Sequence, residues 1–255
     1  MSVTGLAAAT GSAHPSATAT TTALAAGHAA VPADLPKLGA DHVTYVMADD
    51  PRARAAAASY NRRTELTPGV RAICRTPKAV SEVLRWARAQ GVPFSVRSGG
   101  HCFEGFSQSR DLVLDVRGLS RVAVGSADEM LSVGAGSVLA HINRATSVHD
   151  LALPAGWCQS VGIAGHALGG GIGFLSRAGG LACDALESID VIDAQGRQLT
   201  ASATENEDLY WASRGGGGGS FGIATAFRFK LMRIGKVVRF ATQLRVPPPP
   251  PRLAQ

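Results

Sequence analysis

Acidic residues are missing from one stretch of this chain: residues 209–255 hold eight Lys and Arg and no Asp or Glu, while residues 1–208 hold 17 basic residues against all 19 acidic ones. The net charge of +6 therefore belongs to that stretch and not to a folded basic face. Aromatics are also scarce, at 5%. Binding of nucleic acid calls for basic residues interleaved with aromatics on one face, so no nucleic-acid partner is expected. No apolar run approaches the roughly 18 residues that cross a bilayer, and no membrane partner is expected either. The four cysteines (Cys74, Cys102, Cys158, Cys183) form no CxxC pair and show no zinc spacing, so no metal site is expected. Cys74 reads as a buried small hydrophobe and Cys183 admits the same reading, while a structural disulfide stays open. A GxxxxGK[ST] phosphate loop is absent throughout. Residues 1–36 contain no Lys or Arg, and Asp34 is the first charge. This segment lacks the basic start and continuous apolar run of a signal peptide. It reads as a disordered leader, with the compartment leaning cytoplasmic and secretion left open.

What is abundant is glycine, 30 residues in 255, in a chain that is 45% hydrophobic. That mixture suggests a loop-rich protein with helices and strands. Val70 to Cys74 reads as a strand. Thr76-Pro77 supplies an N-cap followed by proline at the first helical position. Val80, Val83, Leu84 and Ala87 then recur at helical spacing as far as Gln90, where Gly91 closes the helix. With the strand Pro93–Val96 this makes a βαβ unit. It feeds the loop Arg97-Ser98-Gly99-Gly100-His101-Cys102-Phe103-Glu104-Gly105. Adjacent glycines let backbone amides converge, and Arg97 and Ser98 add donors, so the loop suits an anion such as a pyrophosphate. Taken alone it also reads as a glycine turn carrying an exposed histidine.

Further strands are expected at Leu112–Val116, Arg121–Val124 and Met130–Val133, then a helix from Val138 to Val148, with His141 and His149 on the surface. A second glycine-rich stretch runs from Pro154 to Gly173 and includes Gly156, Cys158, Val161, Gly162, Gly165, His166, Gly169 and Gly170. Its seven glycines in twenty residues permit close backbone approach to something flat or extended. Gly169 to Gly173 alone is a weak dinucleotide signal, because no strand precedes it and no acidic residue follows at the nicotinamide spacing. Strands at 184–193, 198–201 and 224–231 and a short helix at Asn206–Ala212 complete the pattern. Before the last strand lies Arg214-Gly215 through Ser220-Phe221-Gly222-Ile223.

In order, the blocks Arg97–Gly105, Gly156–Gly173, Asp208–Gly217 and Ser220–Gly222 closely resemble the FAD-binding domain of the p-cresol methylhydroxylase/vanillyl-alcohol oxidase superfamily, in particular the berberine-bridge-enzyme-like oxidases. The resemblance covers Val43 to Leu231. It implies an α+β fold of two subdomains, a small part containing the βαβ unit and a second part with a mixed or antiparallel sheet and helices. The resemblance places the FAD pyrophosphate on Arg97 to Gly100, with Cys102, Phe103, Gly156, Gly162, Gly165, Gly169, Gly170, Gly222 and Ile223 also around the cofactor. His101 matches the histidine that bicovalent members link to the flavin 8α carbon, and Cys158 the cysteine linked to C6. His166 matches a donor near flavin N1, and Val161 the residue that gates oxygen at C4a. Cys102, often serine in the family, is expected to be a spectator.

The implied function is that of an FAD-dependent oxidase. A hydride from a sugar-like alcohol or secondary metabolite goes to bicovalently held FAD and then to oxygen, giving hydrogen peroxide. After Leu231 the family continues into a substrate domain. Here a strand-like segment, 237–246, runs into Pro247–Pro251, so the expectation is a reading frame cut short. Residues 37–235 would form the FAD-binding domain and 236–255 a remnant of the substrate domain. The alternative is a flavin-binding fragment without turnover, since no residue can be named as the catalytic base.

Overall fold

The computed structural model describes residues 31, 32 and 34–235. The expected leader falls outside the described residues at 1–30 and 33, and so do the expected strand at 237–246 and the prolines after it. Within the described part, Val31, Leu35 and Leu38 pack against the core, and Tyr45 donates its hydroxyl to the Pro36 carbonyl at 3.0 Å.

The first subdomain is built from β1 (Val43–Met47), α1 (Ala53–Ala57), β2 (Val70–Cys74), α2 (Pro77–Ala89), β3 (Phe94–Arg97) and β4 (Leu112–Asp115). Its four-stranded sheet has the order β1-β2-β4-β3, with β4 parallel to both neighbours and β1 antiparallel at the edge. Leu112 pairs with Val70 on one side and Phe94 on the other. The β2-α2-β3 crossover therefore strides over β4, a strand that comes later in the chain. As expected, Thr76 Oγ1 accepts from the Ala79 amide at 3.2 Å and Pro77 starts α2. Val80, Val83, Leu84 and Ala87 form the buried face. Burying each of the three larger side chains is worth about 1.5–3 kcal/mol.

The second subdomain follows as β5 (Val122–Gly125), β6 (Met130–Gly134), α3 (Leu139–Ser147), β7 (Leu151–Ala152), α4 (Ile163–Leu168), α5 (Ser176–Gly179), β8 (Leu186–Ile192), β9 (Gln198–Ser202), α6 (Glu207–Ser213), β10 (Ile223–Lys230) and β11 (Met232–Arg233). Five strands make an antiparallel sheet in the order β5-β6-β10-β8-β9, and β7 and β11 form a separate short pair. The central strand β10 alternates buried Phe227 and Phe229 with exposed Arg228 and Lys230, the period-two pattern of a half-buried strand. The α+β organisation in two parts agrees with the sequence expectation. Among the described residues, no helix is long and apolar enough to cross a membrane.

Three helices differ from expectation, among them the short α5, which no sequence signal announced. The first was expected over Ala55–Tyr60 but runs Ala53–Ala57, because the carbonyls of Ala57 and Ala58 are taken by the Arg97 guanidinium and Ala58 turns to an extended ψ of 125°. The second, α4, lies inside the glycine-rich stretch, where no apolar periodicity announces it.

Candidate cofactor site

A cavity of about 850 Å³ lies between the two sheets, within the size range of small-molecule and cofactor sites. On one side is the loop leaving the carboxyl end of β3, the usual place for a ligand of an α/β sheet. On the other are α4 and the start of β10. Ser98, Gly99, Gly100, His101, Cys102 and Phe103 line the first wall. Val161, Gly162, Gly165 and His166 line the second, with Gly222 and Ile223 at its far end.

The loop offers its backbone and not its side-chain donors, which corrects the sequence reading. Arg97 is buried (2% exposed) and turned inward, where its guanidinium donates to Ala57 O and Ser59 Oγ, both at 3.1 Å, and to Ala58 O. Ser98 Oγ donates to the Ala135 carbonyl at 2.7 Å. The amides of Gly99, Gly100, His101 and Cys102, by contrast, have no hydrogen-bond acceptor among the described residues. Four unspent N–H groups in one turn form an anion-binding concavity.

Buried charge reinforces it. Asp115, fully buried, accepts from Arg71 Nη1 at 2.9 Å and from Arg117 Nε at 3.0 Å and Nη2 at 2.7 Å. Arg97 sits in the same field, its pKa pushed down to about 10 by burial and by the charges of Arg71 and Arg117, which Asp115 and Glu65 only partly oppose. Three guanidiniums around one buried carboxylate leave excess positive charge behind the loop.

The two walls meet at Gly99 and Gly162. A Cβ on Gly99 would lie 2.2 Å from the Gly162 nitrogen, and one on Gly162 would lie 2.4 Å from the Gly99 nitrogen. Here glycine serves contact between loops, not room for a ligand. Gly165 is the opposite case: it lines the cavity, and a Cβ there would meet nothing within 4 Å.

Segment 158–163 is fixed by the start of α3. Val138 offers no side-chain cap, and instead the carbonyls of Gln159 and Val161 accept from the amides of Ala140 and Leu139, both at 3.0 Å. The Ile163 amide donates to Ser137 at 2.9 Å. Ser160, between these anchors, points its hydroxyl at His101 Nε2, 2.9 Å away, and lies 3.9 Å from Cys158 Sγ. One hydroxyl thus joins the two expected attachment residues, although Cys158 itself is outside the cavity lining. Tyr60 stacks on the His101 ring with centroids 4.4 Å apart and 19° between planes, and Phe103 meets Tyr60 edge-on at 6.1 Å. Burial, then the charge of Arg97, lowers the His101 pKa, so the imidazole is neutral at neutral pH.

His166 is held by the second glycine stretch. Its Nε2 accepts from the Gly156 amide at 2.9 Å, which leaves Nδ1–H as the ring's donor when neutral, and burial lowers its pKa. Gly156 therefore acts through His166. Gly169 and Gly170 stand away from the cavity in the turn that ends α4. The Gly169 amide donates to Gly165 and the Gly170 carbonyl accepts from Cys183. Cys74 and Cys183 are buried, and burial pushes the Cys74 thiol up to about 12. All four cysteines are free.

Sequence reasoning assigned no role to Ser160, Tyr60 or the Arg71–Asp115–Arg117 group. Ser160 stands two residues past Cys158, a spacing that carries no signal until the fold brings it to His101, 59 positions away.

Comparison with known proteins places this geometry in context. A family profile described as an FAD binding domain matches residues 68–202. An FAD-linked oxidoreductase of Bacillus subtilis is 37% identical over 77% of this chain and 45% of its own length. The structure of a berberine-bridge-enzyme-like protein from Physcomitrella patens superposes with a TM-score of 0.72 at 35% identity, over 76% of this chain and 43% of that one. Glucooligosaccharide oxidase from Acremonium strictum, whose FAD is described as 6-S-cysteinyl, 8α-N1-histidyl, superposes with a TM-score of 0.70 at 30% identity, over 75% and 41%. The chain spans less than half the length of these proteins.

Proposed function

Since the chain belongs to the berberine-bridge-enzyme-like FAD-linked oxidases of the p-cresol methylhydroxylase/vanillyl-alcohol oxidase superfamily, we propose that it holds FAD in the cavity between its sheets, linked through His101 and Cys158, as the flavin-bearing part of an oxidase. The observation that carries this reading is the convergence of His101, which lines the cavity, and Cys158 on the Ser160 hydroxyl. An imidazole held neutral and a thiol delivered on a loop are both nucleophile types suited to covalent attachment.

The residues fit the group. The unpaired amides from Gly99 to Cys102, backed by buried positive charge, would hold the pyrophosphate. Gly165 leaves space where a side chain would enter the cavity. His166, with Nδ1–H as its donor, would stabilise negative charge arriving at flavin N1, in the manner of an oxyanion hole, and Val161 would flank C4a. When bound, FAD would accept a hydride from the carbon of a sugar-like or secondary-metabolite alcohol and pass the electron pair to oxygen, giving hydrogen peroxide.

A second reading, flavin binding without turnover by this chain, rests on one feature. The cavity lining contains no carboxylate among the described residues, and oxidation of an alcohol needs a base for its proton.

The test is acid precipitation of the full chain with intact-mass measurement. The expected result is a yellow pellet and a mass raised by one FAD, with the label lost only when His101→Ala and Cys158→Ala are combined. A colourless pellet with unmodified mass would refute the covalent reading.

A further inference from the structure

We propose that Ser160 is the positioning residue for flavin attachment: its hydroxyl accepts the His101 Nε2–H, leaving the lone pair on Nδ1, and turns its own proton toward Cys158. This deepens the reading of His101 and Cys158 as attachment residues and rests on it.

The geometry restricts the imidazole on two sides. Tyr60 covers one ring face, and Ser160 Oγ lies 2.9 Å from Nε2. Nδ1 has no hydrogen-bond partner among the described residues, so it is the nitrogen left free to react. A neutral imidazole carries one proton on one of its two nitrogens, and the hydrogen bond made by one fixes the state of the other. A serine hydroxyl has one proton to donate and two lone pairs to accept with. Accepting from Nε2–H and donating to sulfur 3.9 Å away uses both capacities without conflict. The same hydroxyl thereby leaves the Nδ1 lone pair free and offers a hydrogen-bond donor to the Cys158 sulfur. Ser160 can do this because carbonyls on either side of it, at Gln159 and Val161, are bonded to the first turn of α3.

The step balances with dioxygen as oxidant. At His101 a bond forms between Nδ1 and the 8α carbon. One C–H bond of the methyl group and the Nε2–H bond break, the latter proton departing toward Ser160. The electron pair passes to the isoalloxazine, and dioxygen removes it together with two protons as hydrogen peroxide. At Cys158 a bond from sulfur to C6 replaces the S–H and C6–H bonds, with the same fate for the electrons and protons. Each link therefore adds the nucleophile and removes two hydrogens.

The test follows attachment in the full chain by mass and by flavin-peptide fragmentation, from pH 5.5 to 8.5, in wild type, Ser160→Ala and Ser160→Thr. The expected result is about tenfold slower linkage at His101 in Ser160→Ala, the scale of one lost hydrogen bond. FAD should remain bound without the link, and Ser160→Thr should restore the wild-type rate and pH profile. Nitrogen-15 NMR of labelled histidine in the unlinked wild type gives an independent reading that survives a misfolded variant. An unprotonated Nδ1 and protonated Nε2 support the proposal, and the reverse tautomer overturns it. Wild-type rates in Ser160→Ala would also overturn it while leaving the attachment reading intact. Absence of any covalent flavin in the wild type would overturn both.

Discussion

His166 shows how a single side chain ties the site to the stability of the fold. Burial lowers its pKa below the ordinary 6.5, and the Gly156 amide donates to its unprotonated Nε2. The unfolded chain takes up a proton at this imidazole more readily than the folded one does. The stability contributed by neutral His166 is therefore fully present above about pH 6.5 and is lost as the pH falls through that value toward the folded-state pKa. Urea midpoints measured at pH 7.5 and pH 5 should fall more steeply in the wild type than in His166→Gln. Parallel slopes in the two proteins would contradict the burial argument. The histidine could be picked out through the family resemblance. Its tautomer could not, because the partner that fixes it is a backbone amide ten residues away.

At the scale of elements, Asp115 at the end of β4 joins three strands. It receives Arg71 from β2 and Arg117 from the turn just after β4, and its charge opposes that of Arg97 from β3. Asp115→Asn would leave the buried Arg71 without its carboxylate and take the direct partner from half-buried Arg117, and a loss of about 3–5 kcal/mol is expected in urea unfolding. Replacing the pair together, Arg71→Met with Asp115→Leu, should cost less, since the fully buried Arg71 is no longer left without its carboxylate and only the half-buried Arg117 loses a direct partner. The comparison separates the penalty of an orphaned charge from the worth of the pair itself. Legibility differed sharply between these elements. α2 announced itself through Thr76-Pro77, its apolar spacing and Gly91, because each of those signals is local. β2 stood out as a short apolar run, and its bounds in the structure are those expected. The insertion of β4 between β2 and β3, which brings Asp115 to Arg71 across 44 positions, left no local trace, because strand order is settled by packing. The inward turn of Arg97 was hidden for the same reason. Its partners are the last carbonyls of α1, and sequence offers no way to tell a guanidinium that caps a helix from one that greets a phosphate.

For the whole molecule, the cavity belongs to neither sheet alone, since its walls come from the β3 loop on one side and from α4 and β10 on the other. A ligand there should stabilise both parts together. In the His101→Ala, Cys158→Ala double variant, where FAD could bind only reversibly, the thermal midpoint should climb with FAD concentration as one transition. The stabilisation should reach about 2.7 kcal/mol at a hundredfold excess over Kd. Two transitions, only one of them moving, would show that the cofactor engages a single subdomain.

The contact of Gly99 with Gly162 has a temporal consequence. The two loops are far apart along the chain and leave different subdomains, so this junction is expected to close after the more local pairings within each sheet. His101 and Cys158 stand beside it and come within reach of one cofactor only once it has closed. Under the proposed attachment, a carbon–nitrogen or carbon–sulfur bond made at that moment outlasts any later reopening. Colour retained after acid denaturation would then count every molecule that had ever reached the closed state, a permanent record of folding history written into the chain.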